Sequence, residues 1–305
     1  MYNSIALTLT VVLKKRSEAD FNAALGLVAG GKTLRELSRN LAFDIEITPE
    51  GVMETAQHYR QYQSTYLNGL HEEGIVADVC VQPSKDRKKS LLICDMDSTL
   101  IGQECIDELA DFAGVKDRVS AITERAMRGE IGFDGALKER VNLLKGLDLS
   151  VLETCFEKRI TINNGAKTLC QTMKKHGAKT IIVSGGFTFF TQRVAAACGF
   201  EGHQANVLKD DGSKLLGTVT LPILGREAKL DALKNHSYAS GGADSAVAIG
   251  DGANDLAMIK AAGLGIAYRA KPAVADAAHC AITHTDLRTA LYFQGYKDSE
   301  FIDVG

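Results

Sequence analysis

The chain has no basic excess: 35 Lys and Arg stand against 38 Asp and Glu, a formal charge of −3. Nucleic-acid binding favours a strongly basic face, so that partner class loses its electrostatic case. No apolar run approaches the roughly 20 residues that span a bilayer, which argues against a membrane protein. The opening "MYNSIALTLTVVLKKR" carries its positive charges after the apolar run and lacks a small-residue cleavage site, the wrong order for a secretory signal. Cysteine is unpatterned. The seven residues are odd in number and lie mostly in apolar surroundings (Cys94, Cys155, Cys170, Cys198), with no CxxC pair or Cys/His cluster suited to zinc. Reduced thiols in a cytoplasmic protein are the expectation. What is present, 45% apolar and 24% charged residues over 305, describes a soluble globular chain with room for two domains.

The lysine-rich stretch "QPSKDRKKS" (82–90) has no period and reads as a linker. Before it, residues 1–81 form a small α+β unit. Strands are expected at "SIALTLTVVL", "LAFDIEIT" and "GIVADVCVQ", and helices at "SEADFNAALGLVA" and "GVMETAQHYRQYQSTYLNGLHEEG". From residue 91 to 305 the pattern is larger. Short β-rich runs recur at "LLICDMD", "KTIIVSGG", "SAVAIGDG" and "LGIAYRA", separated by helices such as "NGAKTLCQTMKKHG" and "NDLAMIKAAG" that end on glycine. Strands separated by helices imply βαβ units, a parallel sheet and a ligand crevice beyond the strands' carboxyl ends. Two insertions interrupt this α/β pattern. Residues about 103–163 read as wholly helical, a lid over the crevice, and "HQANVLKDDGSKLLGTVT" reads as a hairpin about its Asp-Asp-Gly turn.

Asp95, Ser184 and Asp251 all fall at predicted strand ends. Asp95 and Asp97, two residues apart where the chain leaves a strand, both reach the crevice. Their mutual repulsion calls for a cation, and with oxygen ligands only that cation is Mg²⁺. "GDGANDLAM" adds Asp251 and Asp255, with glycines that let the backbone approach closely. "VSGGF" offers the Ser184 hydroxyl and the Gly185 N–H ahead of a helix, a place for an anion. Lys229, opening the helix in "GREAKLDAL", neutralises that anion. Together these groups describe a phosphoryl site. In the helical insertion, Arg140 lies on the apolar stripe Phe133, Leu137, Val141, Leu144; its stem either packs there with the guanidinium in water or the guanidinium grips a carboxylate. Glu104 shares a face with Glu108 and Asp111, which a solvated acidic face explains equally well.

"DMDST", "VSGGF", the later lysine and "GDGAND" resemble, in that chain order, the four motifs of the haloacid dehalogenase superfamily over residues 91–292. "DMDSTLIGQECIDELA" and "RAMRGEIGFDGALKERVNLLKG" are further similar to the phosphoserine phosphatase family. The resemblance implies a Rossmann-like core with a helical cap and hydrolysis of O-phospho-L-serine, the last step of serine biosynthesis. It implies Asp95 as nucleophile, Asp97 as acid and base, and Mg²⁺ held by Asp95, Asp251 and the Asp97 carbonyl. Glu104 would meet the substrate ammonium and Arg140 its carboxylate. Ser184, Gly185, Lys229 and Asn254 would bind the phosphoryl end, Met127 and Phe133 would close the cap, and Asp255 would support the metal shell or cap its helix. The N-terminal unit resembles ACT-like domains in element order, which implies regulation or homodimerisation. Two other readings stay open: a relative acting on another phosphate, such as a phosphotransferase or nucleotide phosphatase, and an amino-acid-sensing module.

Overall fold

The computed structural model describes residues 6–29, 34–47 and 56–304; expectations on residues 4–5, 48 and 51–55 lie outside them. The first unit runs β1 (Leu7–Leu13), α1 (Glu18–Ala29), β2 (Leu34–Ser38), β3 (Ala42–Ile47), α2 (Ala56–Glu72), β4 (Ala77–Pro83). Its antiparallel sheet has the order β2-β3-β1-β4, the ferredoxin-like β-α-β-β-α-β arrangement. Period-two alternation divides each strand between two cores. Leu7, Leu9, Val11, Phe43, Ile45, Val79 and Val81 pack with Phe21, Ala24 and Val28 of α1. The intervening Thr10, Val12, Asp44, Asp78 and Cys80 are buried too, on the face that meets the rest of the chain. Asp78, for example, accepts N–H groups from Thr283, His284 and Thr285 at 2.9–3.2 Å.

The second unit holds a six-stranded parallel sheet. Its strands are β5 (Leu91–Cys94), β6 (Lys179–Phe187), β7 (Gly202–Asn206), β10 (Ala246–Gly250), β11 (Leu264–Tyr268) and β12 (Cys280–Ile282), in the order β12-β11-β10-β5-β6-β7. Between β7 and β10 lie the two-stranded β8 (Leu208–Asp210) and β9 (Leu215–Val219). β5 and β10 read as unbroken apolar runs because helices cover both faces of such a sheet. The helices are α7 (Ala166–Lys175), α8 (Thr188–Cys198), α9 (Arg226–Ser237), α10 (Leu256–Ala261), α11 (Pro272–Ala275) and α12 (Thr289–Phe293). Strand order reverses between β5 and β10, so the switch point of the sheet lies between Asp95 and Asp251.

The insertion after β5 is helical: α3 (Cys105–Phe112), α4 (Lys116–Met127), α5 (Phe133–Asn142) and α6 (Ser150–Arg159). An Ile101–Ile162 bridge joins the two ends of this cap, and Asn163 donates to the Thr99 carbonyl at 2.8 Å. The hairpin β8–β9 leans on the cap, where Gly146 N–H donates to the Leu215 carbonyl at 2.8 Å. "HQAN" was expected within that hairpin. It instead forms β7, the edge of the main sheet, where its backbone pairs with Ile181–Val183.

Candidate active site

The chain leaves β5 at Asp95, and two neighbours hold its carboxylate. Met96 N–H donates to Oδ1 at 2.8 Å, and Lys229 Nζ lies 2.8 Å from Oδ2. Lys229 is 1% exposed and also meets Asp255 Oδ1 at 2.6 Å. Burial alone would lower the lysine's pKa; the two carboxylates outweigh it and raise it. Asp95 is pushed well above the ordinary carboxylate range, first by burial and then by Asp255, with Lys229 opposing. The other oxygen of Asp255 accepts Gly252 N–H at 3.0 Å. A side chain on Gly250 would collide with Asp255, its Cβ falling 2.4 Å from Cγ, so the close approach needs glycine.

Asp97 turns the other way. It accepts Cys105 N–H on Oδ1 at 3.0 Å and the Ser184 hydroxyl on Oδ2 at 3.4 Å. Burial raises its pKa, and the Cys105 hydrogen bond opposes the rise. Gly186 N–H donates to Ser184 Oγ at 2.9 Å, and a Cβ on Gly186 would fall 2.5 Å from Asp97 Oδ2. Asp251, at the end of β10, accepts the Thr99 hydroxyl at 3.0 Å; burial and Asp255 raise its pKa to about 6.

These residues open on a cavity of about 130 Å³ lined by both core and cap. Asp95, Asp97, Ser184, Gly185, Asp251 and Asn254 line its floor, and Glu104, Phe133 and Arg140 its cap side. That volume takes about ten water-sized groups, the scale of a phosphorylated amino acid rather than a nucleotide. Glu104 accepts the Ser98 hydroxyl at 2.7 Å, and burial, then Asp97, raises its pKa to about 7. Arg140 donates Nε to Ala136 O at 3.3 Å and one terminal nitrogen to Thr123 Oγ1 at 3.4 Å, which leaves other guanidinium N–H groups for a ligand. Burial lowers its pKa, while Asp107, Glu104 and Asp97 oppose.

Of the residues singled out from sequence, the structure does not bring Met127 to the cavity: it ends α4, 67% exposed. Lys229 stands behind the lining, against Asp95 and Asp255. Carboxylate oxygens of Asp95, Asp251 and Asp255 lie within 4.8 Å of one another. This all-oxygen cluster suits a hard cation, and the Asp97 carboxylate is not part of it.

Sequence reasoning missed Asn206. It is 2% exposed at the end of β7, and its amide ties the end of β6 to the loop before α9. Nδ2 donates to Gly185 O at 2.9 Å and Leu224 O at 3.1 Å, while Oδ1 accepts Leu224 N–H at 2.8 Å. The Phe133 ring sits between these two segments, 3.2 Å from where a Cβ on Gly185 would be and 3.1 Å from one on Gly225. The available signal was a polar residue at the carboxyl end of a strand, hidden because the strand itself was read as hairpin. Thr99 was likewise passed over within "DMDST".

A family model of haloacid dehalogenase-like hydrolase matches residues 92–260, more than half of the chain. The chain belongs to the haloacid dehalogenase-like hydrolases. It is 44% identical over 218 residues to the phosphoserine phosphatase of Archaeoglobus fulgidus, covering 70% of this chain and 63% of the relative's length. It is also 44% identical over 216 residues to that of Streptococcus thermophilus, covering 70% of this chain and 96% of the relative. Within the superfamily it is a member of the phosphoserine phosphatase family. A haloacid dehalogenase family hydrolase from Salmonella enterica serovar Typhi superposes with a TM-score of 0.80 at 27% identity, covering 94% of this chain and 98% of that one. A phosphoserine phosphatase structure described as a phospho-aspartyl intermediate analogue superposes at 0.62 with 39% identity, covering 68% and 99%.

Proposed function

We propose that the chain hydrolyses O-phospho-L-serine to L-serine and phosphate through an aspartyl phosphate on Asp95. The observation that carries this reading is the division of charge around one small cavity. Paired aspartates and a hydroxyl-glycine turn line the floor, and a carboxylate and a guanidinium face them from the cap. That set suits a phosphate ester that also bears an ammonium and a carboxylate. The names of the relatives support it, as does the phospho-aspartyl analogue of a 39% identical structure.

Lys229 and the Met96 N–H fix the Asp95 carboxylate in one orientation, so it attacks phosphorus without first being ordered. As the new bond forms, the bond from phosphorus to the serine oxygen breaks. Asp97, whose buried carboxyl holds its proton to higher pH, delivers that proton to the departing oxygen. A water then attacks phosphorus, Asp97 takes its proton, and the phosphorus–Asp95 bond breaks to return the carboxylate. The Ser184 hydroxyl, Gly185 N–H and Lys229 ammonium meet the charge of the transferring group, and Asn254 orients it. Glu104 receives the ammonium and Arg140 the carboxylate, with Phe133 closing the cap against Gly185. Asp95, Asp251 and the Asp97 carbonyl, with Asp255 at their side, would hold Mg²⁺, which when bound offsets charge on the phosphoryl oxygens. The reaction is the last step of serine biosynthesis, and the seven unpaired, buried thiols suit a cytoplasmic setting. The ferredoxin-like order of the N-terminal unit supports regulation or homodimerisation as its task.

The test is phosphate release, with and without Mg²⁺, from L-phosphoserine beside phosphothreonine, phosphohomoserine, a nucleoside monophosphate and p-nitrophenyl phosphate. Phosphoserine is expected to lead the nucleoside monophosphate and p-nitrophenyl phosphate by about a hundredfold or more, because an ester lacking either charge leaves Glu104 or Arg140 unpaired. Phosphothreonine and phosphohomoserine carry both charges and test the fit of the cavity instead. Hydrolysis of the aryl ester without hydrolysis of phosphoserine would overturn the substrate and the roles of Glu104 and Arg140.

A further inference from the structure

A second crevice lies beyond the carboxyl ends of β11 and β12, away from the switch point between β5 and β10. Arg269 directly follows β11, and His284 follows β12. The opposite wall is the N-terminal unit, whose β1 runs out into Lys14, Lys15 and Arg16. The cleft measures about 660 Å³, well within the usual range of small-molecule sites.

Its charges are not balanced internally. The acidic groups are already engaged: Asp286 holds Arg288 through three side-chain hydrogen bonds, and Asp298 takes Ser38, Tyr292 and Arg16. Asp303 is not free either. Lys14, Lys15 and Arg269 are left with no carboxylate partner among the described residues. Arg269 lies instead over the Tyr268 ring, 5.1 Å from its centroid. Its backbone is also unusual, with φ at 46°, a left-handed conformation that costs a non-glycine residue energy and concentrates at functional sites. In a chain of net charge −3, three uncompensated cations from two separate units converge on one opening.

We propose that this cleft between the two units binds a small anion carrying two or more negative charges, an organic phosphate or a polycarboxylate, bridged by Lys14, Lys15 and Arg269. The ligand links the N-terminal unit to the catalytic one, at a site separate from the cavity that holds Asp95.

The experiment is isothermal titration of the full-length protein with pyrophosphate and, separately, citrate, at low and at physiological ionic strength. At least one anion is expected to bind and to weaken as salt is raised. In Lys14→Gln/Lys15→Gln/Arg269→Gln the Kd rises about tenfold or more, with phosphate release from phosphoserine unchanged. Pyrophosphate alone would assign organic phosphates, and citrate alone polycarboxylates. The Lys14→Gln/Lys15→Gln variant leaves the strained Arg269 backbone untouched and is expected to show part of the loss, which guards against a triple variant that fails to fold. Absence of heat with both anions overturns the proposal. So does binding that both variants leave unaltered, which would put the anion in the catalytic cavity.

Discussion

Two cations are buried among the described residues, Lys229 in the crevice and Arg87 between the two units, and their surroundings differ in kind. Arg87 donates to both oxygens of Asp44, at 2.7 and 3.0 Å, to Thr10 Oγ1 at 2.8 Å and to the Phe293 carbonyl at 2.9 Å. Thr10 in turn donates to Asp44 at 2.7 Å, and Gln82 reinforces the same Phe293 carbonyl at 2.6 Å. The buried Asp44 carboxylate meets Arg87 there and, at 3.8 Å, the half-exposed Arg35, and the remaining Arg87 donors end on carbonyls and a hydroxyl. The network is closed and needs no ligand. Around Lys229, by contrast, stand Asp95 and Asp255 in contact, with Asp251 close by. Negative charge is in surplus, and burial pushes Asp95 and Asp251 towards protonation. A saturated buried network fixes two units together, whereas an unsaturated one stores a demand for cation and substrate.

Breaking each network separates the two roles. Asp95→Asn or Asp97→Asn is expected to cut turnover by about a thousandfold or more while the melting temperature stays within a few degrees; near-normal release of phosphate by either would sink the assignment. Arg87→Ala leaves the buried Asp44 with only the half-exposed Arg35, 3.8 Å away, and should cost about 3 kcal/mol in denaturant unfolding, with kcat per folded molecule unaltered. If that variant unfolds at the wild-type denaturant midpoint, the joint is not what holds the units together.

Smaller effects sharpen the picture inside the cavity. Glu104→Gln should raise the KM for phosphoserine by about a hundredfold with a lesser change in kcat. Because the empty site holds Glu104 at a pKa of about 7, binding the ammonium at lower pH first releases a proton. The KM should therefore climb as pH falls through that value. Glu104→Gln flattens this rise, leaving only the titration of the substrate's own phosphate; an unaltered profile would place the ammonium elsewhere. Asn206→Ala should lower kcat/KM by about tenfold, since it frees Gly185 from the loop that clasps Phe133. Asn206→Asp should not restore it, because both donated hydrogen bonds need the amide nitrogen. Met127→Ala, at an exposed helix end, should change stability by no more than about 0.5 kcal/mol and leave KM essentially unaltered.

The catalytic floor was legible because parallel strands announce themselves as apolar runs, and the carboxylates that end "LLICDMD" and "SAVAIGDG" stand out against them. Edge elements carry no such contrast. β2, "LRELS", has three exposed residues in five, and β12 is only three residues long; neither shows a pattern that periodicity detects. β7 is short and polar, and its misplacement concealed Asn206. Within the cap, the stripe on α5 placed Phe133 and Arg140 on one face. Helical spacing does not say which turn of α4 nears the cavity, and Met127 turned out to lie in solvent. The charge run "SKDRKKS" conceals the closed network altogether: five basic or acidic side chains look alike in sequence, and only Arg87 is buried. Its partner Asp44 sits 43 residues earlier, on a strand whose alternation does not distinguish a face buried against a second unit from one in water.

The most direct test of the account is to mix the enzyme with phosphoserine, quench in acid within the first turnovers, and map the phosphoryl group by peptide mass spectrometry. The account predicts a base-labile phosphoryl group on Asp95 within the peptide containing "LLICDMDSTL", absent from Asp95→Asn and longer-lived in Asp97→Asn if any forms. Phosphate released from the wild type at full rate with no phosphorylated Asp95, or with the group on another residue, would contradict it.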